Sequence, residues 1–195
     1  MSCAIRDMHR ATTRPLTRRL LLLAGSAAAL TVRARPPATP PPEVAANLPS
    51  ARLQGEGRMT FLGVHVYDAR LWVGPTFAAN AFEQEGLALE LQYGRALDGL
   101  RIAERSLAEM KKVGPVTPEQ SRRWLAETTA LFPDVEKGDR ITGLQHPGES
   151  ARFFLNGRLR GEVRDPAFAR LFFGIWLSER SSEPALRRSL LGAVA

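Results

Sequence analysis

A chain of 195 residues with a formal net charge of +7 has room for one ordinary domain and an appendage, and its charge points toward an acidic partner. The distribution of that charge excludes nucleic acid. Residues 1–34 carry Arg6, Arg10, Arg14, Arg18, Arg19 and Arg33 against Asp7 alone; without them, 21 basic residues face 19 acidic ones, and no concentrated basic run follows.

Residues 1–34 have the order of an export signal. A basic stretch ends in Arg18-Arg19, the apolar run Leu20 to Val32 follows, and Val32-Arg33-Ala34 offers small residues at a cleavage spacing. The run is too short to span a bilayer. The paired arginines, the modest hydrophobicity around Gly25-Ser26 and Arg33 beyond the core predict the twin-arginine route and a periplasmic protein cleaved near Ala34. Cys3, the one cysteine, precedes the run, so the mature chain is expected to have no disulfide. No second segment approaches membrane-spanning length.

Residues 35–50 are rich in proline and predict a stiff, extended tether that packs no core, with the folded domain at 51–195. From Arg52 to Val73 the pattern predicts two strands or one bent strand, with Leu62-Gly63 as turn or bulge. Leu62, Val64 and Val66 share one parity with Asp68, Arg70 and Trp72. His65, Tyr67, Ala69, Leu71 and Val73 share the other, so the apolar face switches near Tyr67-Asp68. Asp68 and Arg70 read as a surface ion pair, and Tyr67 as a pocket-wall candidate beside an arginine.

Leu87 to Tyr93 alternates as a half-buried strand. Asp98 caps a helix with Leu100, Ala103, Leu107 and Met110 on one stripe, ending at Gly114-Pro115. Its Arg105 and Glu109, four residues apart, read as a solvated pair. Arg95, beside a glycine where strand meets helix, could offer a fork of donors to a carboxylate. Thr117-Pro118-Glu119-Gln120 is a capping box opening a second helix through Leu131. Strands follow at Asp139 to Gln145 and Ala151 to Leu155. The Asn156-Gly157 turn then leads into a strand from Arg158 to Val163. Asp165-Pro166 starts a helix with Phe168, Leu171, Phe172 and Ile175 on one stripe; Phe173, Trp176 and Leu177 make its end apolar all round, as core or as pocket wall. Ser182 to Leu191 closes the chain with a short helix. Antiparallel hairpins with grouped helices make the class α+β.

The chemistry is sparse. Without a mature cysteine, and with His65 and His146 far apart, no transition-metal site is expected. There is no P-loop and no nucleophile elbow, and Gly55-Glu56-Gly57 lacks the third glycine and helix of a dinucleotide fingerprint. Nothing in the sequence requires a cofactor.

Five segments taken together carry a resemblance: GEGRMTFLGVHVYDARLW, LELQYGRALDGLRIAERSLAEM, KGDRITGL, FFLNG and DPAFARLFFGIWL. In their order and spacing they resemble bacterial chalcone isomerase-like proteins over residues 50–192. The resemblance implies an open-faced β-sandwich, a large antiparallel sheet with helices on one side. It also implies one of two activities: intramolecular closure of a flavanone ring, or binding of fatty acids in the same cleft. In the enzymes an arginine, a threonine, a tyrosine and an asparagine surround the substrate. Carried over, these fall at Arg58, Asp68, Ile102 and Glu109, so only the arginine is retained and chalcone cyclisation is not expected. The leading expectation is an exported binding protein for an apolar carboxylic acid such as a fatty acid, with Arg58, Tyr67 and Arg95 at the head group. The alternatives are an isomerase or intramolecular lyase using Tyr67 or Asp68 as acid or base, and an envelope interaction protein whose cleft its own side chains fill.

Overall fold

Leu62 and Gly63 both adopt positive φ, 49° and 77°, the combination that turns a chain back on itself in two residues. A computed structural model describing residues 38–192 places them between β1 (Arg52–Phe61) and β2 (Val64–Val73). The export-signal residues 1–34 lie outside the described residues. Asn156 and Gly157, at 49° and 84°, make the same kind of turn between β5 (Ser150–Leu155) and β6 (Arg158–Val163). With β3 (Leu87–Tyr93) and β4 (Arg140–His146), they form one six-stranded antiparallel sheet in the order β1-β2-β3-β4-β5-β6.

Alternation gives this sheet two unlike faces. On the inner face, Tyr67, Ala69, Leu71 and Val73 sit opposite Tyr93, Leu91, Leu89 and Leu87. They pack with α2 (Gly99–Val113), α3 (Pro118–Leu131), α4 (Pro166–Leu177) and α5 (Pro184–Leu190) into the main core. The architecture is the α+β open-faced arrangement expected. Within α4, Phe168, Leu171 and Phe173 are fully buried, each removing a large apolar surface worth about 1.5–3 kcal/mol from water. Phe172 lies 5.0 Å from Phe153 and 5.5 Å from both Phe168 and Trp176, ring centre to ring centre.

The capping expectations hold. Asp98 accepts from Arg101 N, and Thr117 and Gln120 cap each other reciprocally. Asp165 accepts from Ala167 N and Phe168 N at the head of α4. Leu100 departs from the predicted stripe: it is exposed, while Gly99 is buried against the backbone of Phe132 and Pro133. A Cβ at Gly99 would fall 2.2 Å from Phe132 O, so that contact needs glycine. At Gly55 a Cβ would lie 2.1 Å from Ser189 O and 2.5 Å from Leu190 O; this glycine lets α5 rest directly on β1.

The outer face corrects two expectations. The proline-rich segment does not stay extended to residue 50, because Pro42–Asn47 forms a six-residue helix, α1. Proline at the first helical position costs no hydrogen bond, and the short helix is held by what it covers. Val44 is fully buried beside Trp72, Ala88, Leu144 and Phe154, and the Glu43 carboxylate accepts from Arg140 Nη2 at 2.8 Å and Thr142 Oγ1 at 2.9 Å. The second correction concerns Asp68 and Arg70, which take cross-strand partners instead of each other. Arg58 Nε and Nη2 donate to Asp68 at 2.7 and 3.1 Å, and Arg70 pairs with Glu56 at 3.4 Å and Glu90 at 3.1 Å. Residues directly opposite across a sheet are closer than residues two apart along a strand. Glu90 is buried but also accepts from Trp72 Nε1 at 2.8 Å, so its charge is well supplied with donors.

Candidate functional site

The face switch expected near Tyr67 is a bulge one residue earlier. Pairing runs Met59↔Tyr67 and then Thr60↔His65, which leaves Val66 as the extra residue. The bulge lets both Val66 and Tyr67 line the space between sheet and helices and puts His65 on the outer face, 3.3 Å from Asp68. The His65 ring lies against Gly94, where a Cβ would fall 2.3 Å from Nδ1, and Gly94 N donates to Val66 O at 2.9 Å. These contacts fix the end of β3 against the hairpin and position Arg95, the next residue.

Between the layers lies a cavity of about 360 Å³, within the range of about 300–1,000 Å³ that holds small molecules. From the sheet come Met59, Phe61, Val66, Tyr67, Leu91 and Tyr93; from α2, Ile102, Arg105 and Glu109; from α4, Phe172, Ile175 and Trp176. The aromatic stripe of α4 is therefore both core and cavity wall. The wall is predominantly apolar, and its cations, Arg95, Arg101 and Arg105, are exposed residues at the rim. Arg101 is held by Glu104 at 3.2 Å and Arg105 by Glu109 at 2.7 Å. Arg95 has no hydrogen bond or ion pair among the described residues.

Two phenols stand inside. Tyr67 Oη accepts from Trp176 Nε1 at 3.0 Å, and the two tyrosine rings meet edge to face at 6.1 Å. Burial pushes the Tyr67 phenol up to about 12; the indole bond works the other way, and Glu183 and Glu109 add to the rise more than Arg105 opposes it. Burial, with Tyr67 beside it, also raises Tyr93. Glu109, expected on a solvated helix face, is instead buried. Burial favours its neutral form, but bonds from Lys112 and Ser182 and the charge of Arg105 outweigh this and hold its carboxyl below the usual carboxylate range.

Of the expected head-group residues, Tyr67 and Arg95 meet in one cavity and Arg58 does not. Arg58 lies opposite Asp68 on the outer face, its side chain 62% exposed. The one-residue alternation of a strand is the reason: the inward positions are Met59 and Tyr67, one along from Arg58 on β1 and one before Asp68 on β2. The enzymes' arginine and threonine therefore have no counterpart in Arg58 and Asp68, whereas Ile102 and Glu109 do line the cavity. Sequence reading missed Met59 as a wall residue; the resemblance set a cleft position at Glu109, while its spacing to Arg105 read as solvated.

The sequence profile of the chalcone isomerase-like family matches residues 41–192. Among solved structures, the crystal structure of an Arabidopsis thaliana fatty-acid binding protein superposes with a TM-score of 0.58 at 16% identity, covering 74% of this chain and 88% of that one. That likeness is one of fold. No curated protein matches. The profile match spans the sheet, the five α-helices of the described residues and every residue of the cavity wall; the chain belongs to the chalcone isomerase-like family.

Proposed function

We propose that this chain binds a hydrophobic carboxylic acid, such as a fatty acid, and does not cyclise chalcones. The observation that carries the reading is an apolar cavity whose rim offers Arg95, a guanidinium with no partner among the described residues. A carboxylate at the rim keeps its charge near water and gains a fork of donors, while its tail buries apolar surface at about 25 cal/mol per Å². The fatty-acid binding protein of the same fold supports the choice of ligand. The groups available for proton transfer support binding over catalysis. A phenol raised to about 12 and a carboxyl held low by three donors both lie far from neutral pH, where an acid or base works best. Asp68, the other candidate base, faces away from the cavity.

The order of residues 1–34 supports export to the periplasm by the twin-arginine route. Mapping the mature N-terminus tests that part: a terminus after Ala34 agrees, and an intact Met1 in a periplasmic fraction refutes it. For the ligand, the purified chain is extracted, its lipids are identified by mass spectrometry, and the emptied protein is titrated with palmitic acid. Binding at micromolar concentration is expected. Empty protein that also fails to bind palmitic acid overturns the proposal.

A further inference from the structure

Tyr93 is 4% exposed, and its hydroxyl has no hydrogen-bond partner among the described residues. Nothing in its packing calls for a hydroxyl. Its ring meets that of Tyr67 edge to face and shares the cavity wall with Leu91, Ile141 and Phe172, a place that phenylalanine would fill equally well. Tyr93 lines the cavity, so a hydroxyl with no described protein partner is a donor left for what the cavity holds. Tyr67 shares the feature in part. Its oxygen accepts from the Trp176 indole, but its own proton goes to no described acceptor. Two neighbouring phenols thus face one cavity with two unused donors and, 6.1 Å apart edge to face, do not bond each other.

Donors need an acceptor, and its charge can be read from the surroundings. Around Tyr67 the carboxylates of Glu183 and Glu109 outweigh Arg105, and Arg105 is already engaged by Glu109. On β1 the inward neighbour of Tyr67 is Met59, and the cation that the end of β3 brings to this cavity, Arg95, is an exposed rim residue assigned to the carboxylate. An anionic oxygen there would lose its hydration without a compensating charge. A carbonyl or hydroxyl oxygen loses far less and takes the donors equally well.

We infer that Tyr93 and Tyr67 form a second, inner polar subsite that takes a neutral oxygen on the ligand's chain, so that the favoured ligand is an oxo- or hydroxy-substituted long-chain carboxylic acid. The inference rests on the carboxylic-acid reading above, with Arg95 at one end of the ligand and the phenols partway along it. It divides the cavity into a cationic rim, an apolar lining and a neutral donor pair within that lining.

Full-length protein is titrated calorimetrically with octadecanoic acid and with its 6-, 9- and 12-oxo derivatives. One oxo isomer is expected to bind about 5–10-fold more tightly than octadecanoic acid, the gain of one or two neutral hydrogen bonds. In Tyr93→Phe that preference should collapse to about one. Arg58→Ala, outside the cavity, should keep it. Thermal melting confirms that Tyr93→Phe folds, since the change keeps the ring and removes only a hydroxyl with no described partner. If octadecanoic acid binds and no oxo acid binds more tightly, or if Tyr93→Phe keeps the preference, the inner subsite is refuted and the carboxylic-acid reading stands. If none of the four acids binds, both fall.

Discussion

Asp165 decides whether the aromatic wall of the cavity holds its place, and replacing it tests the packing account most sharply. Its Oδ1 accepts from Ala167 N at 2.9 Å and Phe168 N at 3.2 Å, which caps α4. Its Oδ2 accepts from Trp124 Nε1 at 2.9 Å and pairs with Arg123. Asp165→Ala removes the cap, worth about 1 kcal/mol. It also strands the indole N–H of Trp124, which is 1% exposed, at a cost of about 1–3 kcal/mol. The Arg123 side chain is 47% exposed, so its pair adds under about 1 kcal/mol. Together the loss is about 2–4 kcal/mol, or roughly 5–15 °C in melting midpoint for a chain of this length. Asp165→Asn keeps one oxygen for the cap and should lose less.

Acid adds a second test of the same residue. Burial favours the neutral carboxyl, but the indole, the two backbone N–H groups and Arg123 outweigh it, so the folded pKa lies below the ordinary 3.8. A depressed pKa gives stability that is present above the unfolded value and lost as pH falls through the folded one. The gap between the parent chain and Asp165→Asn should therefore be full near neutrality and narrow below about pH 3.8. Urea unfolding at several pH values measures it. A loss under 1 kcal/mol for Asp165→Ala at pH 7 would refute the reasoning.

Arg95→Ala should weaken palmitic acid binding about 5-fold, the worth of a partly solvated charged contact, whereas Arg58→Ala should stay within about twofold; fluorescence competition separates them. Gly55→Ala drives a methyl into the Ser189 and Leu190 carbonyls and should cost about 1–3 kcal/mol or more, seen as early loss of α5 protection in hydrogen exchange. The Glu162 carboxyl is held down to about 2 by bonds from Ser150 and Arg164, with Arg152 adding to them against the opposing effect of burial. Its stabilisation is present above pH 4.5 and lost as pH falls toward 2, so the parent chain should lose stability over that window while Glu162→Gln loses less.

Much of the fold was legible because local signals agreed with one another. Leu62-Gly63 and Asn156-Gly157 are turns in sequence and in structure, and the Thr117 to Gln120 box opens α3 as its spacing requires. The misses share two causes. One is register: Arg58 and Met59 are adjacent, yet strand alternation sends one to water and the other to the cavity, and a bulge at Val66 reverses parity again. No count of spacings along one strand reveals which residue its partner skips. The other cause is tertiary support. Six residues beginning with proline hold no helix alone, and α1 exists because Glu43 and Val44 find Arg140, Thr142 and Trp72 from distant strands. Glu109 was misread for the same reason, since Ser182 and the chain beyond α4 cover a helix face that local spacing marks as solvated.

The central claim is that a hydrophobic carboxylic acid occupies the space between β2, β3, α2 and α4. A crystal structure of the chain with palmitic acid tests it most directly. The account predicts a tail enclosed by Met59, Tyr67, Ile102, Phe172 and Trp176, with its carboxylate at Arg95. Density for the acid elsewhere, or a carboxylate seated on Arg58 at the outer face, would contradict it.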